Sequence, residues 1–254
     1  VRSEEMAEEE IDREERGIEV RTSSDSPSNN HVNNGEKCCF YIKDCALVSI
    51  STGKKAYSLA ELLDQLRGIH PGSIYHHFWS RLLRPSFDHP EFHNDFAAWA
   101  HHDIHDETLA ERLNIIDPQD FNTLEDLRQE LIDNIEERMD ESEFLPWAKA
   151  KAPFYFVRSQ IVVLDTGRRI YHPEELAQAV ASMSLGSIFY HFIDARRRTA
   201  DGVDDFRAWL QPMEKYQDLV ESLANIDPYF TTLSELKEEL VILFSKYFKT
   251  GVNL

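Results

Sequence analysis

The chain has 254 residues, of which 42% are hydrophobic, and a formal net charge of -19. No apolar run approaches the roughly 20 residues of a membrane-spanning helix, so a soluble protein is expected. Duplex binding requires a basic footprint, and only Arg196-Arg197-Arg198 offers a compact one, which argues against nucleic acid as a partner.

Residues 1–36 hold 11 acidic and 4 basic side chains and little apolar surface. Such a stretch cannot offset its ordering entropy, and it reads as a disordered acidic arm. Three cysteines follow, Cys38, Cys39 and Cys45. Their odd number, the missing C-x-x-C spacing and the absence of a secretory signal point to free thiols and a reducing cytoplasm.

From residue 37 the pattern is written twice, as a first repeat unit (37–140), a linker (141–152) and a second unit (153–254). Phe40-Tyr41-Ile42 with residues 46–50, and Phe154-Tyr155-Phe156 with residues 161–164, have the aromatic and β-branched content of short strands. Each pair runs into a Gly-containing turn, at 51–55 and 165–169. Ser58-Leu59-Ala60-Glu61 is a capping box for a first helix, matched in the second unit by Pro173 at a helix start.

The signature segments Gly72-Ser73-Ile74-Tyr75-His76-His77-Phe78 and Gly186-Ser187-Ile188-Phe189-Tyr190-His191-Phe192 follow, with Ser73 and Ser187 expected as N-caps. Asn94-Asp95-Phe96-Ala97-Ala98-Trp99 and Asp204-Asp205-Phe206-Arg207-Ala208-Trp209 open another helix. A further helix ends before Asp117-Pro118 or Asp227-Pro228, and the longest begins after Thr123 or Thr232 with a core-facing stripe of Leu, Ile, Val and Phe. In the linker, Phe144, Leu145 and Trp147 are expected to seek a groove. The fold class is mainly α with a small β element per unit (α+β), a tandem duplication of a helical unit of roughly 100 residues.

On an α-helix, residues seven apart lie within about 20° of one face, so His77 aligns with Arg84 and His191 with Arg198. Arg81 extends the first row, and Asp95 or Asp205 opens the next helix, where a carboxylate can accept two bonds from a guanidinium. These residues read first as a buried structural clamp and second as an anion pocket beside a Gly-Ser helix start. Eight of the eleven histidines lie between His70 and His105. His101 and His105 are four apart, a spacing that can hold a divalent metal on one helix face, although the second unit has Gln211 and Lys215 there. No nucleophile elbow, P-loop, H-E-x-x-H or dinucleotide motif is present.

The pattern T-G-[KR]-[KR], S-I-[YF]-x-H-F, D-F-x-A-W and I-D-P resembles an uncharacterised prokaryotic domain-of-unknown-function family, over roughly 38–140 and again 153–250. The resemblance implies a bacterial or archaeal cytoplasmic protein and no activity, cofactor or catalytic residue. The expected function is a non-enzymatic cytoplasmic binding or regulatory module acting on a protein partner or a small anionic ligand. The alternative is a hydrolase-type or metal-dependent enzyme using the His-rich region of the first unit.

Overall fold

The computed structural model describes residues 18–22, 39–83, 91–199 and 201–248. The elements in chain order are β1 (Ile18–Thr22), β2 (Phe40–Ala56), α1 (Leu59–Leu66), α2 (Pro71–Trp79), α3 (Asp95–Trp99), α4 (Glu107–Asn114), α5 (Leu124–Asp140), β3 (Phe154–Ile170), α6 (Leu176–Ala181), α7 (Leu185–Ile188), α8 (Ala195–Arg198), α9 (Asp205–Leu210), α10 (Gln217–Ala224) and α11 (Leu233–Phe248). π-helical turns at Ala100–Ile104 and Phe189–Asp194 and several short 3₁₀ turns complete the set. The protein is therefore mainly helical with a small sheet, in which β3 lies between β1 and β2. No helix among the described residues is long and apolar enough to cross a membrane.

Several caps lie where local sequence puts them. Ser58, Asn94, Thr123 and Asp204 each accept the backbone N–H three residues on, closing the first turns of α1, α3, α5 and α9. Thr232 and Glu235 reciprocate as a capping box ahead of α11. Ser73 and Ser187, expected as caps, are not. His70 Nδ1 accepts from Gly72 N with Pro71 at the first helical position, and Ser184 caps α7, so both helices begin earlier and place the Gly-Ser pair inside the first turn.

The strand expectation is also corrected. The two short strands and turn of each unit merge into one 17-residue strand, β2 or β3. Gly53 and Gly167 sit inside these strands at φ of 72° and 69°, conformations open to glycine without a Cβ penalty. The arm expected to be disordered contains β1, and the rest of 1–36 lies outside the described residues. In the 141–152 linker the backbone is tied down: Ala150 N donates to Tyr57 O, and Lys151 N to Asp103 O. Its aromatic residues, however, stay exposed.

The chain divides into two compact units that differ from the boundaries read in sequence. Among the described residues, one comprises 48–160 and the other 39–47 and 161–248. The difference lies in the strands. Each long strand is divided between them: 40–47 and 161–170 belong to one compact unit, 48–56 and 154–160 to the other.

In the 48–160 unit, α1, α2 and α4 pack on α5, and Phe154 and Phe156 of β3 fill the core they enclose. Phe154 stacks on Phe96 with ring centroids 4.9 Å apart and meets Trp99 edge-on. In the other unit, α6 and α7 pack on α11, and Phe40 of β2 stacks on Phe206 at 5.1 Å and touches Trp209. Strand and helix backbones approach so closely here that Gly186 has no room for a Cβ, which would overlap Asp44 Oδ1 and the Cys45 carbonyl. Gly186→Ala is expected to lower stability by about 1–3 kcal/mol through overpacking, measurable as a reduced urea midpoint with an unchanged m-value.

Candidate functional site

Two histidine centres recur with the same geometry. His77 is buried; its Nδ1 lies 2.9 Å from Asp95 Oδ2, and its Nε2 accepts the Val157 N–H at 3.2 Å. His191 repeats this, with Nδ1 2.7 Å from Asp205 Oδ2 and Nε2 accepting the Lys43 N–H at 2.9 Å. An imidazole nitrogen that accepts from a backbone N–H cannot itself carry hydrogen, so each proton resides on Nδ1 and is donated to the carboxylate. Both ring nitrogens are thereby committed to joining a strand to a helix start. Neither is left to take a proton from a substrate.

Arg198 completes the second centre. Its guanidinium donates to Asp194 Oδ2 (2.9 Å), Asp205 Oδ2 (2.8 Å) and Tyr190 O (2.9 Å), and lies 3.9 Å from the Tyr190 ring centroid. Burial works against its charge, but Asp205 and Asp194 outweigh that and raise its pKa. Burial likewise opposes ionisation of Asp205, yet the bond from His191 and the charge of Arg198 hold its carboxyl below the ordinary value. In the first centre Arg81 stands 3.8 Å from Asp95, and Arg84 lies outside the described residues. The seven-residue alignment does not run along a regular helix in either case. α2 gives way to a 3₁₀ turn at Ser80–Leu83, and a π-helical turn separates α7 from α8. Arg196, which sequence placed in a basic patch, turns inward to donate to Ile226 O and lies over the Phe192 ring.

The metal expectation at His101 and His105 meets a different backbone from the one it assumed. Ala100–Ile104 is π-helical and His105 is left-handed at φ 61°, so residues four apart do not line one α-helical face. His101 and His102 instead lie against the Phe92 ring, within 4.0 Å and 3.7 Å of the Glu91 carboxylate. Among the described residues, the group of three metal-type donors is His76, His77 and Asp95, with donor atoms within 4.8 Å of one another. Occupying it through His77 requires breaking the bond to Val157 or to Asp95, and His76 Nδ1 is engaged with Ser159 Oγ at 2.7 Å. Tyr190 stands in place of His76 in the second centre.

An open groove of about 460 Å³ lies between the start of α1 and the 145–147 turn; of the linker residues expected to seek a groove, Trp147 lines this one, but its other lining residues were not foreseen. Lys55, Tyr57, Glu61, Asp64, Trp147 and Lys149 line it. Trp147 is 76% exposed, and nearby Phe144 is 84% exposed. The Lys55 ammonium donates to Tyr57 Oη at 2.7 Å, which raises its pKa. Glu61 is turned to the Tyr57 N–H. The signal available in sequence was the run Phe144-Leu145-Pro146-Trp147, aromatic residues in a stretch that carries no helical period.

The model of the family described as Family of unknown function (DUF5752) matches residues 37–245 in a single stretch, through both sets of motifs. The chain belongs to this family. A solved structure, described as that of OrfY from Thermoproteus tenax, superposes with a TM-score of 0.72 at 30% sequence identity, covering 82% of this chain and 94% of that one. No curated protein matches. This DUF5752 member thus shares its fold with OrfY over nearly the whole of that chain.

Proposed function

We propose that the protein is a non-enzymatic binding module of the cytoplasm, built as a tandem duplication of a helical unit in which each copy lends the first part of its strand to the helices of the other. Equivalent pairs support the duplication: Phe40 with Phe206 and Phe154 with Phe96, Lys43 with His191 and Val157 with His77. Copies of residues 37–140 and 153–254 then describe ancestry, while the compact units describe packing.

The ligand we infer is a small anion with a planar face, held in the Tyr57–Trp147 groove. The observation that carries this reading is the exposed Trp147 indole beside Lys55 and Lys149 in a walled concavity, where stacking and charge act together. Such a groove needs no general base, in keeping with histidines whose nitrogens are already engaged.

Fluorescence titration with adenosine monophosphate and with inorganic pyrophosphate tests it. Saturable quenching by the nucleotide is expected, lost in Trp147→Phe and weakened about tenfold or more when Lys55 and Lys149 are both replaced by alanine. Pyrophosphate, which has no ring to stack, should bind more weakly. No saturable change up to millimolar nucleotide overturns the reading. The metal-dependent alternative would gain support from near-stoichiometric zinc, manganese or iron in purified protein that is lost on His101→Ala.

A further inference from the structure

Asn94 and Asp204 occupy equivalent positions, each the N-cap of the helix that carries the histidine's aspartate partner. Both are fully buried, and each uses one side-chain oxygen to accept the N–H three residues on, Ala97 or Arg207, at 2.9 Å. Their second atoms differ. Asn94 Nδ2 donates to Leu113 O at 2.7 Å. Asp204 Oδ2 is buried with no hydrogen-bond partner, and Arg207 Nε, also buried and without one, stands 3.9 Å away.

We propose that Asp204 is a proton-sensitive cap: protonated, it serves as Asn94 does, and ionised, it loosens the start of α9 and with it the His191 centre. A proton on Oδ2 gives the carboxyl the donor that Asn94 has in its amide. Without the proton, a carboxylate oxygen is buried unbonded, which is costly in a site closed to water. The charged groups that face Asp204 are Arg196 of α8 and Arg207 of α9. They act against the burial without overcoming it. The carboxyl is pushed up from 3.8 to about 6, mainly by burial, while the Arg207 N–H and the two arginines pull the other way.

The sign follows from linkage. The folded state holds the Asp204 proton more tightly than the unfolded state does, so this contribution is fully present below about pH 4 and is lost as pH rises past about 6. The folding equilibrium should weaken about a hundredfold across that window from this group alone. The consequence is local as well as global, because Asp205, next in the chain, holds both His191 and Arg198. Asn94 makes the first centre indifferent to pH at the same position.

Thermal melts of the full chain between pH 4.5 and 8 test this, comparing wild type with Asp204→Asn and with Asp204→Ser, which keeps a capping oxygen without a titrating group. Both variants are expected to lack the wild-type loss of melting temperature above pH 5, and Asp204→Asn to melt higher than wild type at pH 7. Amide exchange in 204–210 should accelerate with pH in the wild type beyond its intrinsic dependence, and not in Asp204→Asn. Parallel pH profiles for all three proteins, or an Asp204→Asn variant less stable than wild type at pH 7, overturn the proposal.

Discussion

Phe154→Ala is expected to unfold the helices of the 48–160 unit, although the residue belongs to the second set of motifs. Its ring is 5% exposed and touches His77, Phe96, Trp99 and Phe156, with centroids 4.6–5.8 Å away. Truncating a buried phenylalanine costs about 3–5 kcal/mol, a large share of the 5–15 kcal/mol that typically holds a domain together. Because the ring also lies over His77, its removal admits water to the bond between His77 and Val157. Hydrogen exchange read by mass spectrometry localises the effect. Peptides from 59–140 should lose protection in Phe154→Ala, and peptides from 176–244 should lose it in Phe40→Ala. The reverse assignment would show that each strand start supports its own copy.

Arg198→Ala should be the most damaging single change in the second centre, lowering stability by about 3–5 kcal/mol. The substitution removes three hydrogen bonds at once and leaves Asp194 and Asp205, 6% and 21% exposed, facing each other without their cation. Arg198→Lys should recover only part of the loss, since an ammonium keeps the charge but cannot bridge two carboxylates and a carbonyl with a fixed fork. Urea denaturation at neutral pH and moderate salt measures both. An unchanged midpoint for Arg198→Ala would instead favour an anion pocket at these residues. Added phosphate should then stabilise the wild type and not the variant.

What could be read from sequence was what is local. An N-cap needs a short polar side chain just before a helical period, and Ser58, Asn94, Thr123, Asp204 and Thr232 meet that rule within a few residues of chain. The association of His77 with Asp95, and of His191 with Asp205 and Arg198, was legible because the same order of motifs occurs twice, although the histidine and aspartate are 18 residues apart in the first and 14 in the second. The cap of α2 was misread because His70 and Ser73 compete for the role. Pro71, which favours the first helical position, decides for His70. The strand partners were not legible at all. Alternation in Phe154-Tyr155-Phe156 says which side chains are buried, but two helical sets with the same aromatic motif, Asp-Phe-x-Ala-Trp, are available, and nothing local distinguishes them. Trp147 was misjudged for a related reason: apolarity predicts a wish for burial, and only the packed structure tells whether a partner is at hand.

The pairing of His77 with Val157 spans 80 residues and that of His191 with Lys43 spans 148. During synthesis on the ribosome the helices of residues 59–140 therefore emerge before the aromatic side chains that fill their core exist. His77 must wait, its acceptor nitrogen hydrated, until Val157 leaves the exit tunnel, and Phe40 waits longer still, until His191, Phe206 and Trp209 are made. Contacts of such separation slow folding, because loop-closure entropy is lost before they form. A message interrupted between the two motif sets would encode a single product with helices lacking Phe154 and Phe156 and a strand start lacking its helices, which could complete neither core.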